Sequence, residues 1–324
     1  MMDDTPLTEP PSGLTRTFLD LPYAADLDGL VADVALLGIP YGMPYSMQAR
    51  INDQCLAPDA LRRHGIFDSS YTLTHYDWDL GGPLLDGRPV RLVDCGNVTA
   101  EMSDPKIHYQ RAEAAVRKIL KAGATPIVIG GDHGIPIPVM RALDATGHDK
   151  ITLVHIDAHL DWRDEVNGEH DGYSSPIRRA SELPWIDKII QIGMRGIGSA
   201  RQQEIDDARA YGADLITAYE MHAMGIPAVL DRISDGGPYY LTIDADGLDP
   251  TIMPGVLAPT PGGLTWLQTY DLIHGLVKKG RVLGMDLVEM TPSYDVGKLT
   301  MAHAERLICN FIGATVRAGY YDKR

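Results

Sequence analysis

The chain has 324 residues, 44% of them hydrophobic and 23% charged, which is ample for a buried core in one large or two ordinary domains. Its net charge of −15 argues against nucleic acid as a partner, because gripping phosphates takes basic stripes. No apolar run approaches the ~20 residues of a membrane helix, the N-terminal Met1-Met2-Asp3-Asp4 lacks the basic start of a secretory signal, and Cys55, Cys95 and Cys309 show no metal spacing, which suits a reducing cytoplasm.

Residues 1–30, rich in Pro, Thr and Asp, read as an N-terminal surface extension, and 31–324 read as a single catalytic domain without an internal linker. Apolar, strand-like runs recur near 32–39, 91–95, 126–130, 151–157, 189–193, 214–218, 239–245 and 281–288. Helical patterns fall between many of them. Asp104-Pro105 starts one whose apolar face includes Ile107, Ala112, Ala115, Val116, Ile119 and Leu120, and Gly123 closes it. Thr265 starts another, with Leu267, Leu272, Ile273 and Leu276 inside and Gly280 at its end. A last helix covers about 301–317. Strands alternating with helices imply an α/β fold with a parallel sheet covered on both faces. Eight strands are also the number of a closed β/α barrel, and periodicity does not separate the two.

Three stretches carry the chemistry. They are Gly130-Gly131-Asp132-His133-Gly134, His155-Ile156-Asp157-Ala158-His159-Leu160-Asp161 and Thr242-Ile243-Asp244-Ala245-Asp246-Gly247. Each follows an apolar β-branched run, at the strand ends where open α/β sheets bind ligands. Residues i, i+2 and i+4 of an extended chain point to one side, so Asp157, His159 and Asp161 can face one cleft together with Asp244 and Asp246. Four carboxylates in one place repel one another. Two divalent cations balance them, and imidazole plus carboxylate without thiolate favours Mn, Fe, Co, Ni or Zn. Gly130-Gly131 lacks the Lys-Ser/Thr ending of a nucleotide loop.

These stretches resemble the signature motifs of the ureohydrolases, the arginase and agmatinase superfamily, over nearly the whole chain. Leu37-Gly38-Ile39-Pro40, Ala57-Pro58-Asp59-Ala60-Leu61-Arg62, Pro261-Gly262-Gly263-Leu264-Thr265 and Met285-Asp286-Leu287-Val288-Glu289-Met290 extend the likeness. The resemblance implies a three-layer α/β/α fold with an open, mainly parallel eight-stranded sheet. It also implies two divalent ions per subunit, Mn2+ as the family's usual ion and Ni2+ in some guanidine-acting members. His133 and Asp161 would hold one ion, His159 and Asp246 the other, and Asp157 and Asp244 would bridge them. Asp161 would accept a hydrogen bond from the attacking hydroxide, and Glu289 would pair with the guanidinium group of a small cationic substrate. The product would be urea or a urea derivative with ammonia or an amine. Family members form trimers or hexamers, so a homo-oligomer is expected, with a hetro-oligomer open.

Two departures from the family pattern bear on catalysis and substrate. Where many agmatinase-like members have a histidine that is a candidate proton shuttle, this chain has Tyr173, with His170 three residues earlier. After the third metal motif, Val256 and Leu257 stand where small polar residues are common, and the loop after Asp161 lacks the Ser/Asn-rich grip on an amino-acid head group. A small or apolar guanidine is therefore expected: guanidine, an alkylguanidine or biguanide, with agmatine and guanidinobutyrate in the set. Trp162 is a candidate for stacking on the cation, and Tyr45 and Asn52 are candidate substrate contacts. Two other readings compete. One is a non-catalytic or regulatory subunit of a ureohydrolase assembly. The other is a different two-metal hydrolase such as a phosphatase, which would want basic residues that these motifs lack apart from Arg163.

Overall fold

Alternation of apolar side chains along extended segments builds a sheet with two greasy faces. The computed structural model describes residues 5–12, 16–41, 52–64, 69–101, 104–197 and 200–322. Its strands are β1 (Thr8–Glu9), β2 (Val34–Gly38), β3 (Leu92–Val98), β4 (Thr125–Ile129), β5 (Ile151–Ile156), β6 (Ile186–Met194), β7 (Asp214–Thr217), β8 (Gly236–Asp244) and β9 (Gly280–Val288). The helices are α1 (Ala57–His64), α2 (Ser69–Thr74), α3 (Pro105–Lys121), α4 (Pro136–Ala142), α5 (Pro176–Ser181), α6 (Gln202–Tyr211), α7 (Ala218–Asp231), α8 (Trp266–Lys279) and α9 (Leu299–Arg317).

The strands form one sheet in the order β1-β3-β2-β4-β9-β8-β5-β6-β7. The eight strands β2–β9 pair in parallel, and the short β1 adds an antiparallel edge against β3, a ninth strand that the apolar pattern did not announce. The two ends, β1 and β7, lie at opposite edges, so the sheet is open rather than a closed barrel. Val34, Leu36, Ile127, Ile129, Val154 and Ile156 face a core shared with α1, α7, α8 and α9. Their neighbours Ala35, Leu37, Val128 and Leu153 face a second core shared with α3, α4, α5 and α6. Burial on both faces explains why the strands read as continuous apolar runs.

Local differences follow from helix geometry. Asp104 caps α3 by accepting from the Lys106 N–H at 2.9 Å, and Pro105 sits in the first turn. Its buried stripe runs through His108, Ala112, Ala115, Val116 and Ile119. Ile107, about 100° round the helix from that stripe, is 39% exposed instead of buried. Leu267 in the first turn of α8 is likewise exposed, while Leu272, Ile273 and Leu276 are buried. Among the described residues of the N-terminal stretch, several apolar side chains enter the cores rather than lying on the surface. Phe18, Leu19 and Leu21 enter the first core and Leu27 and Leu30 the second.

One buried ion pair ties this stretch to the sheet. Arg62 at the end of the Ala57–Arg62 motif is 1% exposed and grips Asp94 of β3 with two bonds of 2.8 Å. Asp94 also accepts from the Phe18 N–H at 2.7 Å. Removing one partner strands a buried charge, a change that costs roughly 3–5 kcal/mol. Arg62→Met should therefore lose about that much stability in urea unfolding, more than the double variant Arg62→Met/Asp94→Leu; equal stability of Arg62→Met and the parent would refute the clamp.

Candidate metal centre

The three histidine- and aspartate-bearing stretches end up side by side because β4, β9, β8 and β5 are consecutive in the sheet. Their carboxyl ends deliver His133, Glu289, Asp244 with Asp246, and Asp157 with His159 and Asp161. Glycine makes the close packing there possible. A Cβ on Gly131 would lie 1.2 Å from the Tyr41 carbonyl oxygen, and one on Gly247 would lie 2.8 Å from the Asp157 nitrogen. Asp161 and Glu289 both adopt left-handed backbone, with φ of 51° and 65°. Such conformations are costly for residues with side chains and persist where surroundings enforce them. The Asp161 carbonyl accepts from the N–H groups of Ile177 and Arg178, and the Glu289 N–H donates to the Gly131 carbonyl at 2.7 Å.

The donors form two overlapping nodes. His133 Nδ1 lies 3.0 Å from Asp157 Oδ2, 3.1 Å from Asp161 Oδ2 and 3.0 Å from Asp244 Oδ2. His159 Nδ1 lies 3.3 Å from Asp157 Oδ1 and 3.4 Å from Asp246 Oδ2. Asp157 thus offers one oxygen to each node. Asp244 faces the first through Oδ2, while its Oδ1 accepts from the Asp246 N–H at 2.7 Å. A single ring nitrogen carries at most one proton, so it cannot donate to three carboxylate oxygens at once. A cation can sit among them, and the donor set of imidazole and carboxylate fits a divalent metal at each node.

A second layer fixes how these donors point. His133 Nε2 lies 3.2 Å from Thr242 Oγ1, whose hydroxyl donates to Asp286 at 2.6 Å. The hydroxyl can then only accept from His133, which places the ring proton on Nε2 and leaves the Nδ1 lone pair for the node. Tyr240 completes the support with a 2.7 Å bond to Asp286. His155 was not singled out from sequence, although it sits two residues before Asp157 and shares its side of β5. It is fully buried, and its Nε2 bonds Asp157 Oδ2 at 2.9 Å. Its Nδ1 meets the Gln191 side-chain nitrogen at 3.0 Å. Gln191 lies opposite His155 on β6, a cross-strand relation that sequence spacing does not reveal.

Arg195 fastens the second node. This 7% exposed side chain donates to the carbonyls of Asp246, Gly247 and Leu248 on one side and Thr260 and Pro261 on the other. Beside it a cleft of about 810 Å³ opens next to His159, lined by Ala158, Leu160, Met194, Ile197 and Tyr219 among others.

Several expected substrate contacts lie elsewhere. Trp162 is 2% exposed and packs in the second core with its ring centroid 5.6 Å from that of Tyr211, so it is wall rather than an open stacking face. Val256 and Leu257 are also buried, and Val256 bridges Met290; their apolar character serves packing. His170 is exposed, with Nδ1 3.0 Å from the Asp164 carbonyl, and is not drawn into either node. Tyr173 is half-buried in the loop leading to α5. Asn52 shapes a turn by accepting from the Gln54 N–H at 3.0 Å, and Tyr45 lies outside the described residues.

Glu289 is half-buried, and its Oε1 accepts from the His133 N–H at 2.8 Å. Burial, then the charges of Asp244 and Asp132, drive its carboxyl well above the usual range. Burial and the neighbouring Asp246 and Asp157 do the same to Asp244, and burial pushes Asp246 up to about 7. Burial works against the proton on His159, but Asp246 and Asp157 outweigh it and raise that imidazole to about 11. Protonation relieves the crowding of negative charge.

Metals must displace those protons. Below a raised pKa the proton-bound form dominates, so divalent-ion affinity should fall as pH drops through about 7, where Asp246 takes up its proton. Calorimetric titration at neutral pH in buffers of different ionisation enthalpy should show proton release on loading; none would contradict this electrostatic account. Asp157→Ala should lose both ions, whereas Asp246→Ala should retain about one per chain by elemental analysis; full metal content in Asp157→Ala would refute the shared-ligand geometry.

The arginase family sequence profile matches residues 32–313. Guanidinobutyrase of Pseudomonas aeruginosa is 30% identical over 294 residues, covering 88% of each chain. Proclavaminate amidinohydrolase of Streptomyces clavuligerus is 29% identical over 93% of each chain. The solved structure of that amidinohydrolase superposes with a TM-score of 0.79 at 27% identity, covering 96% of this chain and all of the other. Arginase from Medicago truncatula superposes with a TM-score of 0.71 at 25% identity, covering 89% of each chain. With the profile spanning both nodes and the sheet beneath them, this protein belongs to the arginase family, hydrolases of carbon–nitrogen bonds in linear amidines.

Proposed function

We propose that the chain is a dinuclear-metal amidinohydrolase for a small or alkyl-substituted guanidine, yielding urea or a urea derivative plus ammonia or an amine. Guanidine, alkylguanidines, biguanides, agmatine and guanidinobutyrate form the substrate set. Relatives named guanidinobutyrase, guanidinopropionase and agmatinase support the guanidino class. The observation that carries the reading is Glu289, a half-buried carboxylate held beside the first node by the His133 N–H. A planar guanidinium presents paired N–H donors that match a carboxylate fork. The cleft beside His159 offers an apolar stretch of Leu160, Met194, Ile197 and Leu215 between the charged Arg209 and Glu220, which supports a short substituent.

His133 and Asp161 would hold one ion and His159 and Asp246 the other, with Asp157 and Asp244 available to both, and the ion would be Mn2+ or Ni2+. Bound there, such a pair supplies a water that is deprotonated near neutral pH. The protein's own residues do the rest. Glu289 orients the guanidinium carbon toward the nucleophile. Asp161, fixed by its left-handed backbone, would accept a hydrogen bond from the attacking water-derived group. The leaving nitrogen draws its proton through the loop of His170 and Tyr173. Confinement of both reactants in one orientation removes much of the entropic barrier.

The protein acts in the cytoplasm as a homo-oligomer of three or six chains. Two free, buried cysteines, Cys95 and Cys309, support a reducing compartment.

Urea or amine release should appear when purified protein loaded with Mn or Ni is offered the guanidine panel. Full metal loading with no release, unless a second protein is added, would replace this reading with that of a subunit in a hetero-oligomer. Glu289→Gln should keep its metals yet lose about 100-fold in kcat/KM; an unchanged value would remove Glu289 from the site. The pair Tyr173→Phe and His170→Asn should slow turnover in at least one variant, and normal rates in both would assign the proton to solvent.

A further inference from the structure

Gln54 opens the 3-10 turn Gln54–Leu56 just before α1 and is 1% exposed. Its side-chain nitrogen donates to Glu289 Oε2. Its side-chain oxygen, equally buried, has no hydrogen-bond partner among the described residues. Buried amide oxygens are nearly always satisfied, so an orphan beside a binding carboxylate calls for a donor from elsewhere. The turn is also bolted to the segment that follows Glu289. Asp53 accepts from the Ser293 N–H at 3.0 Å and from its hydroxyl at 3.1 Å. The Gln54 N–H is itself held by Asn52 at 3.0 Å. Backbone and side chain are therefore fixed before any ligand arrives.

We propose that Gln54 is a substrate-recognition residue: its Oε1 accepts an N–H of the guanidinium group whose other N–H donors bind Glu289. This rests on the amidinohydrolase reading above and adds the second half of the recognition surface. The division of labour is chemical. Glu289 Oε1 already takes the His133 N–H and Oε2 the Gln54 amide, which leaves each oxygen a further acceptor site for the planar fork. Gln54 then reads a third donor out of reach of that fork. A substrate nitrogen placed before Gln54 must carry hydrogen, and full alkylation of that nitrogen leaves the amide oxygen buried and unpaired.

The test compares the metal-loaded parent with Gln54→Met, which keeps the side chain's length and loses both amide atoms, and with Gln54→Asn as a shorter amide. Metal content and thermal melting establish that each variant is folded and loaded. Binding is then measured by calorimetry with N-methylguanidinium, and kcat/KM with whichever panel compound the parent hydrolyses. Gln54→Met should keep both ions and weaken N-methylguanidinium by about 10–100-fold, mostly as a rise in KM where turnover is seen. Gln54→Asn should fall between it and the parent. Unchanged affinity in fully loaded Gln54→Met overturns the proposal. Loss of metal in both variants also overturns it, because Gln54 would then act through His133. A parent that binds N-methylguanidinium without releasing urea or methylamine sinks the hydrolase reading alone, and the affinity ratio still decides for or against Gln54. A parent that binds no guanidinium compound sinks both.

Discussion

The structure depends on an electrostatic constraint. Five carboxylates, Asp157, Asp161, Asp244, Asp246 and Glu289, converge with two imidazoles, His133 and His159, at the middle of the sheet, where the four aspartates and His133 are buried and Glu289 and His159 half-buried. Charges of one sign in a dry place repel strongly, so the site must acquire either protons or cations. The raised pKa values of Asp244, Asp246 and Glu289 are the proton solution. Divalent ions are the other solution, and the geometry favours them because one nitrogen faces three oxygens at nearly equal distances. On the proposed reading, binding and catalysis share a cause: the same excess of negative charge would draw metals and suit a cationic guanidinium.

The scaffold answers this constraint with topology. Placing β4, β9, β8 and β5 side by side brings residues more than a hundred positions apart into contact, as His133 and Asp244 show. Outer hydrogen bonds then fix each donor's direction. Thr242, Asp286 and Tyr240 orient His133, while His155 and Gln191 orient Asp157. Such outer contacts typically matter about 10–100-fold to metal affinity.

Much of this was legible in the chain itself. Both-face burial wrote β2–β9 as apolar runs, and i, i+2, i+4 spacing marked Asp157, His159 and Asp161 as neighbours. What spacing hides is what crosses between elements. Gln191 meets His155 only through strand register, and Gln54 meets Glu289 across 235 positions. The edge strand β1 is two residues long, too short for any period. Trp162 and Val256 show the reverse error: a residue near a motif can be spent on packing. Ile107 and Leu267 were misplaced because the first turn of a helix can lie outside the buried stripe.

The Arg195 clasp has an evolutionary corollary. One guanidinium staples the backbone of Asp246 to Thr260 and Pro261, so insertions or deletions in that outer segment are felt directly at Asp246. The same guanidinium lines the cleft beside His159 together with Ile197 and Tyr219, so one side chain serves both that wall and the backbone of Asp246.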